Sequence, residues 1–336
     1  LASRFHEILK DTMTTREFLQ TPAAGPTPTN PAPLLGTASF EVMIPPQEHD
    51  RFPYSAIVDR PRLHWPNGAR VAVWVIPNIE HFLFDRPSSS IIQSTMGFVP
   101  DVLNYSWRDY GVRVGIWRLM DVLEKYGVKG TVALNADVCR LYPRIIEAGK
   151  ALGWEWMGHG TNNSTVINGQ SEDEERHLIT GVLDTIEAST GARPRGWLSP
   201  ALTESHRTLD ILAAAGIRYV ADWVNDEQPY RMRVANGEML SLPYSVEMND
   251  YTAFLEQGLS GEDFAQALRD QFDVLYEDGA GTGRVMSICL HPFLIGHPHR
   301  SKHFAEALAH ITSRRDVWLA TGSEIADWYN GNHHET

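Results

Sequence analysis

The sequence predicts an α/β protein: a distorted (β/α) barrel of seven or eight units, preceded by an extended N-terminal arm. Three observations predict it. From Arg70 onward, short apolar and β-branched runs alternate with amphipathic stretches of about ten to eighteen residues, the pattern of a parallel sheet with crossover helices. Gly127, Gly153, Gly191, Gly216 and Gly279 each close an apolar-periodic segment, where a helix C-terminus favours glycine. About seven or eight such units in roughly 260 residues point to a barrel more than to an open sheet. No Gly-x-Gly-x-x-Gly follows the first strand, which disfavours a dinucleotide-binding sheet.

In chain order, residues 1–19 can form a short helix with Phe5, Ile8 and Leu9 on one face. Pro22, Pro26, Pro28, Pro31 and Pro33 make the next stretch a linker or extended arm. The expected division is therefore an arm over residues 1–50 and a barrel over 51–336. Strands are expected near 71–77, 130–135, 154–158, 195–198, 218–221, 239–242, 284–290 and 316–319. Helices are expected near 112–126, 143–151, 172–190, 204–214, 261–278, 301–312 and 322–330. The acidic run Glu172-Asp173-Glu174-Glu175 after Ser171 reads as the capped start of a helix, since carboxylates favour the positive end of its dipole.

Composition narrows the function classes. The 336 residues carry a formal net charge of −13, which repels nucleic-acid phosphates and anionic membranes. No apolar run is long enough to span a bilayer, and no signal-peptide pattern is visible. Cys139 and Cys289 lie beside apolar runs and read as buried free thiols, which suits a cytoplasmic protein. There is no nucleophile elbow, P-loop or His-Glu-x-x-His motif.

In a barrel the chemistry sits at the carboxyl ends of the strands. There the sequence places Asn78, Glu80 and His81; His159, Asn162 and Asn163; Ser199 and Pro200; Asp222, Trp223, Asn225, Asp226 and Glu227; Tyr244, Glu247, Asn249 and Asp250; and His291. Glu80 reads as a general base with a pKa raised by burial, or as the partner of an arginine such as Arg113. His159, between two glycines, is a functional imidazole or a loop histidine bonded to a carbonyl. His291, ending a buried strand, suits acid catalysis or a satisfied core position. His297, His299 and His303 could form a metal cluster, but their prolines favour an exposed turn.

These motifs, in this order, resemble the polysaccharide deacetylases of carbohydrate esterase family 4, the NodB-homology class. The resemblance covers roughly residues 50–330 and is closer to the branch that includes cofactor-independent allantoinase and cyclic-imide hydrolase. The deacetylases begin with Thr-Phe-Asp-Asp-Gly, base then metal ligand. Asn78-Ile79-Glu80-His81-Phe82 aligns there, so the resemblance puts Glu80 at the base and His81 at the metal position. The His-(Ser/Thr)-x-x-His motif becomes His159-Gly160-Thr161-Asn162-Asn163, with Asn163 replacing a metal-binding histidine. Trp197-Leu198-Ser199-Pro200-Ala201 stands for Arg-x-Pro-Tyr and implies an oxyanion-binding amide at Ala201; Asp222-Trp223 and Leu290-His291 resemble the last two motifs, His291 being the general acid. Pro243-Tyr244, Asn249-Asp250 and the stretch Phe272–Gly279 are closer to the allantoinase-like branch.

The resemblance implies a hydrolase of non-peptide carbon–nitrogen bonds that opens a small cyclic amide, ureide or imide. Glu80, His159 and His291 are the expected catalytic residues. Asn163, Ser199, Ala201, Asp222, Trp223, Asn225, Asp226, Glu227 and Asn249 are the expected substrate contacts. The cofactor is either none or one zinc-type divalent ion on His81 and His159, to which a third ligand would have to be added. The expected partners are a small-molecule substrate and other copies of the chain in a homo-oligomer. A metal-dependent N-deacetylase of a sugar or peptidoglycan, and a non-catalytic small-ligand-binding barrel, are the alternatives.

Overall fold

The computed structural model describes residues 49–86, 93–95 and 97–332. The expected arm therefore lies almost wholly outside the described residues, as do His333 and His334.

The barrel starts with β1 (Val71–Ile79), buried along its whole length. A strand covered on both faces needs an unbroken apolar run, and Val-Ala-Val-Trp-Val-Ile supplies it. The other strands are β2 (Thr131–Leu134), β3 (Glu155–Gly158), β4 (Gly196–Trp197), β5 (Tyr219–Val220), β6 (Tyr230–Met232), β7 (Met239–Ser241), β8 (Arg284–Leu290) and β9 (Val317–Leu319). Their order is β6-β7-β5-β4-β3-β2-β1-β8, with β9 also on β1. Every pairing is parallel except β6 with β7. The outer edge of β8 is met by irregular chain: Val285 N–H donates to Glu227 O at 2.8 Å and Cys289 N–H to Met248 O at 2.9 Å. The ring is thus curled and distorted, with loops standing where a closing strand would be.

The helices are α1 (Val102–Tyr110), α2 (Ile116–Lys125), α3 (Ala136–Leu141), α4 (Pro143–Ala151), α5 (Glu172–Thr190), α6 (Thr208–Ala214), α7 (Gly261–Asp278), α8 (Pro292–Ile295), α9 (Pro298–Thr312) and α10 (Gly322–Asn332). Ser171 caps α5 in a reciprocal box with Glu174, and Ser260 caps α7 with Asp263. No described helix is long and apolar enough to cross a membrane. Both cysteines are free and buried.

Several features depart from the expectation. The first helix begins at Val102, and a π-helical turn over Gly111–Gly115 joins α1 to α2. A Cβ on Gly115 would sit 2.0 Å from Pro292 O, so glycine there lets this run press against α8. The hairpin strand β6 and the short helices α3 and α8 are additional. The supposed turn around His297 is the start of α9, with Pro298 at its first position and His297 stacked on Tyr110 at 4.1 Å. His303 bonds to Glu306, and among the described residues these imidazoles do not form a ligand set of three.

Candidate active site

Because the strands run parallel, the residues that follow them meet on one rim. A cavity of about 250 Å³ opens there, lined by Glu80, Arg108, His159, Asn163, Ala201, Tyr244, Asn249, Tyr251 and His291 among others.

Glu80 is at the centre. Its Oε1 lies 3.3 Å from His159 Nε2 and 3.6 Å from His291 Nε2, and it accepts a hydrogen bond from the Asn163 amide. Its side chain is 5% exposed. Burial pushes its carboxyl up, but His291, His159 and Arg108 together outweigh burial and hold the pKa below the ordinary carboxylate value. This corrects the expectation of a raised pKa. Nor is Arg113 its partner: that residue pairs with Asp109. The cation beside Glu80 is Arg108, buried on α1 with its guanidinium 3.7 Å above the Phe82 ring.

His159 is fixed from behind. Its Nδ1 lies 2.7 Å from Leu198 O, which commits that nitrogen to donate and turns Nε2 toward Glu80. Its flanking glycines admit protein, not ligand. A Cβ on Gly158 would meet the Trp197 ring at 2.6 Å; one on Gly160, whose φ is +68°, would meet Pro200 at 2.6 Å.

His291 is held by Asp250. Its Nδ1 is 2.7 Å from Asp250 Oδ1, while the backbone N–H groups of His291 and Ile295 also donate to that carboxylate. Burial lowers the imidazole's pKa, but Glu80 and Asp250 overcome it and raise the value above the ordinary 6.5. Burial lifts Asp250 as well, against the pull of His291. Four donor contacts at 2.7 to 3.2 Å are nevertheless the surroundings of an ionised carboxylate.

The turn after β4 forms another wall. Asp222 Oδ1 accepts the Ser199 N–H at 2.6 Å, then Ala201 and Leu202 adopt φ of +55° and +54°. Left-handed backbone at a non-glycine residue costs on the order of 1–2 kcal/mol, so the surroundings must impose it. Among the described residues the Ala201 N–H has no backbone acceptor.

Several expected contacts are not in this cavity. Asp226 is paired with Arg60 through two bonds of 2.8 and 2.7 Å, and Glu227 with Arg284 at 3.0 Å. Asn225 accepts from Tyr230 at 2.9 Å. All three line other surface cavities, because the chain after β5 turns outward toward the 52–61 segment. Ser199 and Asp222 are buried behind the wall, and Trp223 packs against Phe52 and His49. His81 also turns away: its Nδ1 is 3.3 Å from Tyr142 OH, and burial lowers its pKa.

That geometry bears on a metal. A catalytic zinc takes three protein ligands. Here His81 faces Tyr142, His159 faces Glu80, and Asn163 presents its N–H₂ while its oxygen accepts from Asn135 at 3.0 Å. An amide N–H₂ has no lone pair to offer. Among the described residues no three His, Cys, Asp or Glu side chains converge as a ligand set. The residues present do not fit the metal of the deacetylases.

Arg108, Asp250 and Asn135 were not assigned site roles from sequence. Asp250 carried a signal, since it adjoins Asn249 after a strand. Asn135, at the end of β2, donates to both His159 O and Asn163 and accepts from the His81 N–H, tying three strand ends together. Arg108, in a helix, carried none.

Residues 105–220 match the polysaccharide deacetylase family profile. A putative polysaccharide deacetylase of Schizosaccharomyces pombe is 27% identical over 297 residues, spanning 80% of this chain and 93% of that protein. A peptidoglycan deacetylase of Helicobacter pylori is 25% identical over 64% of this chain and 83% of its own. Among solved structures, PuuE allantoinase superposes with a TM-score of 0.74 at 26% identity, covering 83% of this chain and 96% of the other. A probable polysaccharide deacetylase from Pseudomonas aeruginosa PAO1 gives 0.75 at 28% identity, covering 82% and 96%. The fold and the rim of polar strand ends define a NodB-type hydrolase barrel. Over residues 105–220 the chain carries a polysaccharide deacetylase domain, and the protein is a hydrolase of carbon–nitrogen bonds.

Proposed function

We propose that this protein hydrolyses a small cyclic amide, ureide or imide without a metal. The observation that carries the reading is the Asn163 amide bonded to Glu80, where a metal-dependent relative would place an imidazole ligand. Glu80 is ionised at neutral pH and accepts the proton of the attacking water. The carbonyl oxygen gains negative charge as water adds, and the Ala201 N–H stabilises it. His291, its pKa raised by Glu80 and Asp250 and its ring aligned by Asp250, gives its Nε2 proton to the leaving nitrogen when protonated. The proton on Glu80 then passes across the 3.6 Å gap to His291, and the site is reset. His159 Nε2 and the Asn163 amide orient the ring.

Cavity size supports a small substrate. Pockets for drug-sized ligands run from about 300 to 1,000 Å³, and this one is about 250 Å³. An N-acetylated polysaccharide would require an extended groove.

The test is an assay of ring opening with hydantoins, dihydropyrimidines, allantoin and succinimide-type imides, with and without chelator. Chelator-resistant ring opening is the expected result. Acetate release from N-acetylated sugars that chelator abolishes would overturn the proposal.

A further inference from the structure

Behind the cavity wall sits a second pair of carboxyl groups that the mechanism does not use. Asp222, after β5, directs Oδ1 to the Ser199 N–H. Its Oδ2 is buried, with no donor among the described residues. Glu204, three residues beyond Ala201, brings its carboxyl within hydrogen-bonding reach of Asp222, while its Oε1 accepts the Trp223 indole N–H at 3.1 Å. Two ionised carboxylates in contact in a buried site repel strongly; one proton between them turns repulsion into a short hydrogen bond.

We propose that Glu204 and Asp222 share one proton, and that this pair positions the Ser199–Leu202 turn whose Ala201 N–H receives the oxyanion. Asp222 grips the residue where the turn begins, and Glu204 lies just past the residue where it ends. The pair therefore clamps both sides of two consecutive left-handed, non-glycine residues. Neither acid touches substrate; both are positioning residues. The inference rests on the reading of Ala201 as the oxyanion donor.

Electrostatics agree. Burial, then the Asp222 charge, pushes Glu204 up to about 9, and burial raises Asp222. The charged or titratable groups facing the pair are Arg51 and Tyr230 near Glu204 and His159 near Asp222, with His49 against the intervening Trp223 ring. The proton therefore stays on the pair through neutrality and leaves as pH rises through about 9. A dianion then forms behind the wall, and the turn loosens.

Infrared spectroscopy of the whole protein reads the proton without substrate. A protonated-carboxyl C=O band should be present at pH 7, titrate away near pH 9, and vanish in Glu204→Gln. A missing band, or one that survives the substitution, overturns shared protonation, whatever the protein hydrolyses. Turnover on the best amide then tests positioning. Glu204→Gln keeps a donor and should retain most of kcat at pH 7; on the alkaline side it should show only the limb set by His291, without the further decline near pH 9 that the pair adds. Glu204→Ala should lose about tenfold or more in kcat with KM within about twofold, part of the 10²–10³ carried by an oxyanion donor. Equal kcat in the Gln and Ala variants overturns the positioning role. Failure of ring-opening substrates alone would touch only the proposed function, because the band is measured without them.

Discussion

Two polar clusters share the rim of this barrel and behave differently. Around Glu80, one carboxylate faces two imidazoles, an amide and a buried guanidinium, across a cavity. Around Asp226 and Glu227, each carboxylate has its own arginine, Arg60 or Arg284. The second arrangement neutralises charge and ties a loop down. The first leaves acid, base and donors facing open volume, with His291 shifted up and Glu80 shifted down. Polar density alone does not make a reactive site; what matters is whether the charges are matched pairwise or turned toward a space a ligand can enter.

The sharpest way to break this comparison is Glu80→Gln. It should lower kcat/KM by about 10²–10⁴-fold with the thermal transition retained. Activity near wild type would remove Glu80 from the base role. Next, Asp250→Asn should cost about 10²-fold in kcat, because His291 loses the partner that orients and charges it.

The same variant sharpens the pH argument. Turnover needs Glu80 ionised and His291 protonated. Glu80 is lowered from 4.5 and His291 raised from 6.5, so kcat/KM should form a plateau between an acid limb below 4.5 and an alkaline limb above 6.5. These limbs belong to the interacting pair. Asp250→Asn should draw the alkaline limb toward lower pH; an unmoved limb would exclude His291 as the titrating acid.

In the paired cluster the effects should be on stability alone. Asp226→Asn removes the carboxylate that the mostly buried Arg60 grips through two bonds and should cost about 1–3 kcal/mol in denaturant unfolding, with turnover unchanged. Glu227→Gln, whose side chain is 46% exposed, should cost less than about 1 kcal/mol. A large activity loss in either would place that cluster in the chemistry after all.

The sequence made long, locally consistent elements legible. β1 is an unbroken apolar run, and α5 starts on a capping box and ends on Gly191. The position of the rim was legible too, since strand ends are local. What was not legible depends on arrivals from afar. Arg60 reaches Asp226 across 166 residues, and nothing near Asp226 announces it. Arg108 lies on a helix that buries Asn104 and Arg108 instead of an apolar stripe, so periodicity gave no reason to start a helix at Val102. β6 is three residues of a hairpin, too short for alternation to show. His81 follows Glu80 directly, and adjacent side chains leaving a strand diverge, which is why it misses the cavity its neighbour enters.

The pairing of β1 with β8 has a consequence for how the molecule is made. Asn78 and Leu290, hydrogen-bonded across that pairing, are separated by 212 residues. A ribosome adds about 5–20 residues per second, so β1 waits on the order of ten seconds or more for its neighbour. Through that wait an apolar strand has one edge uncovered, which makes the nascent chain a natural client for chaperones. Glu80 and His291 flank the same late pairing, so catalytic competence arrives only once the last third of the barrel has been synthesised.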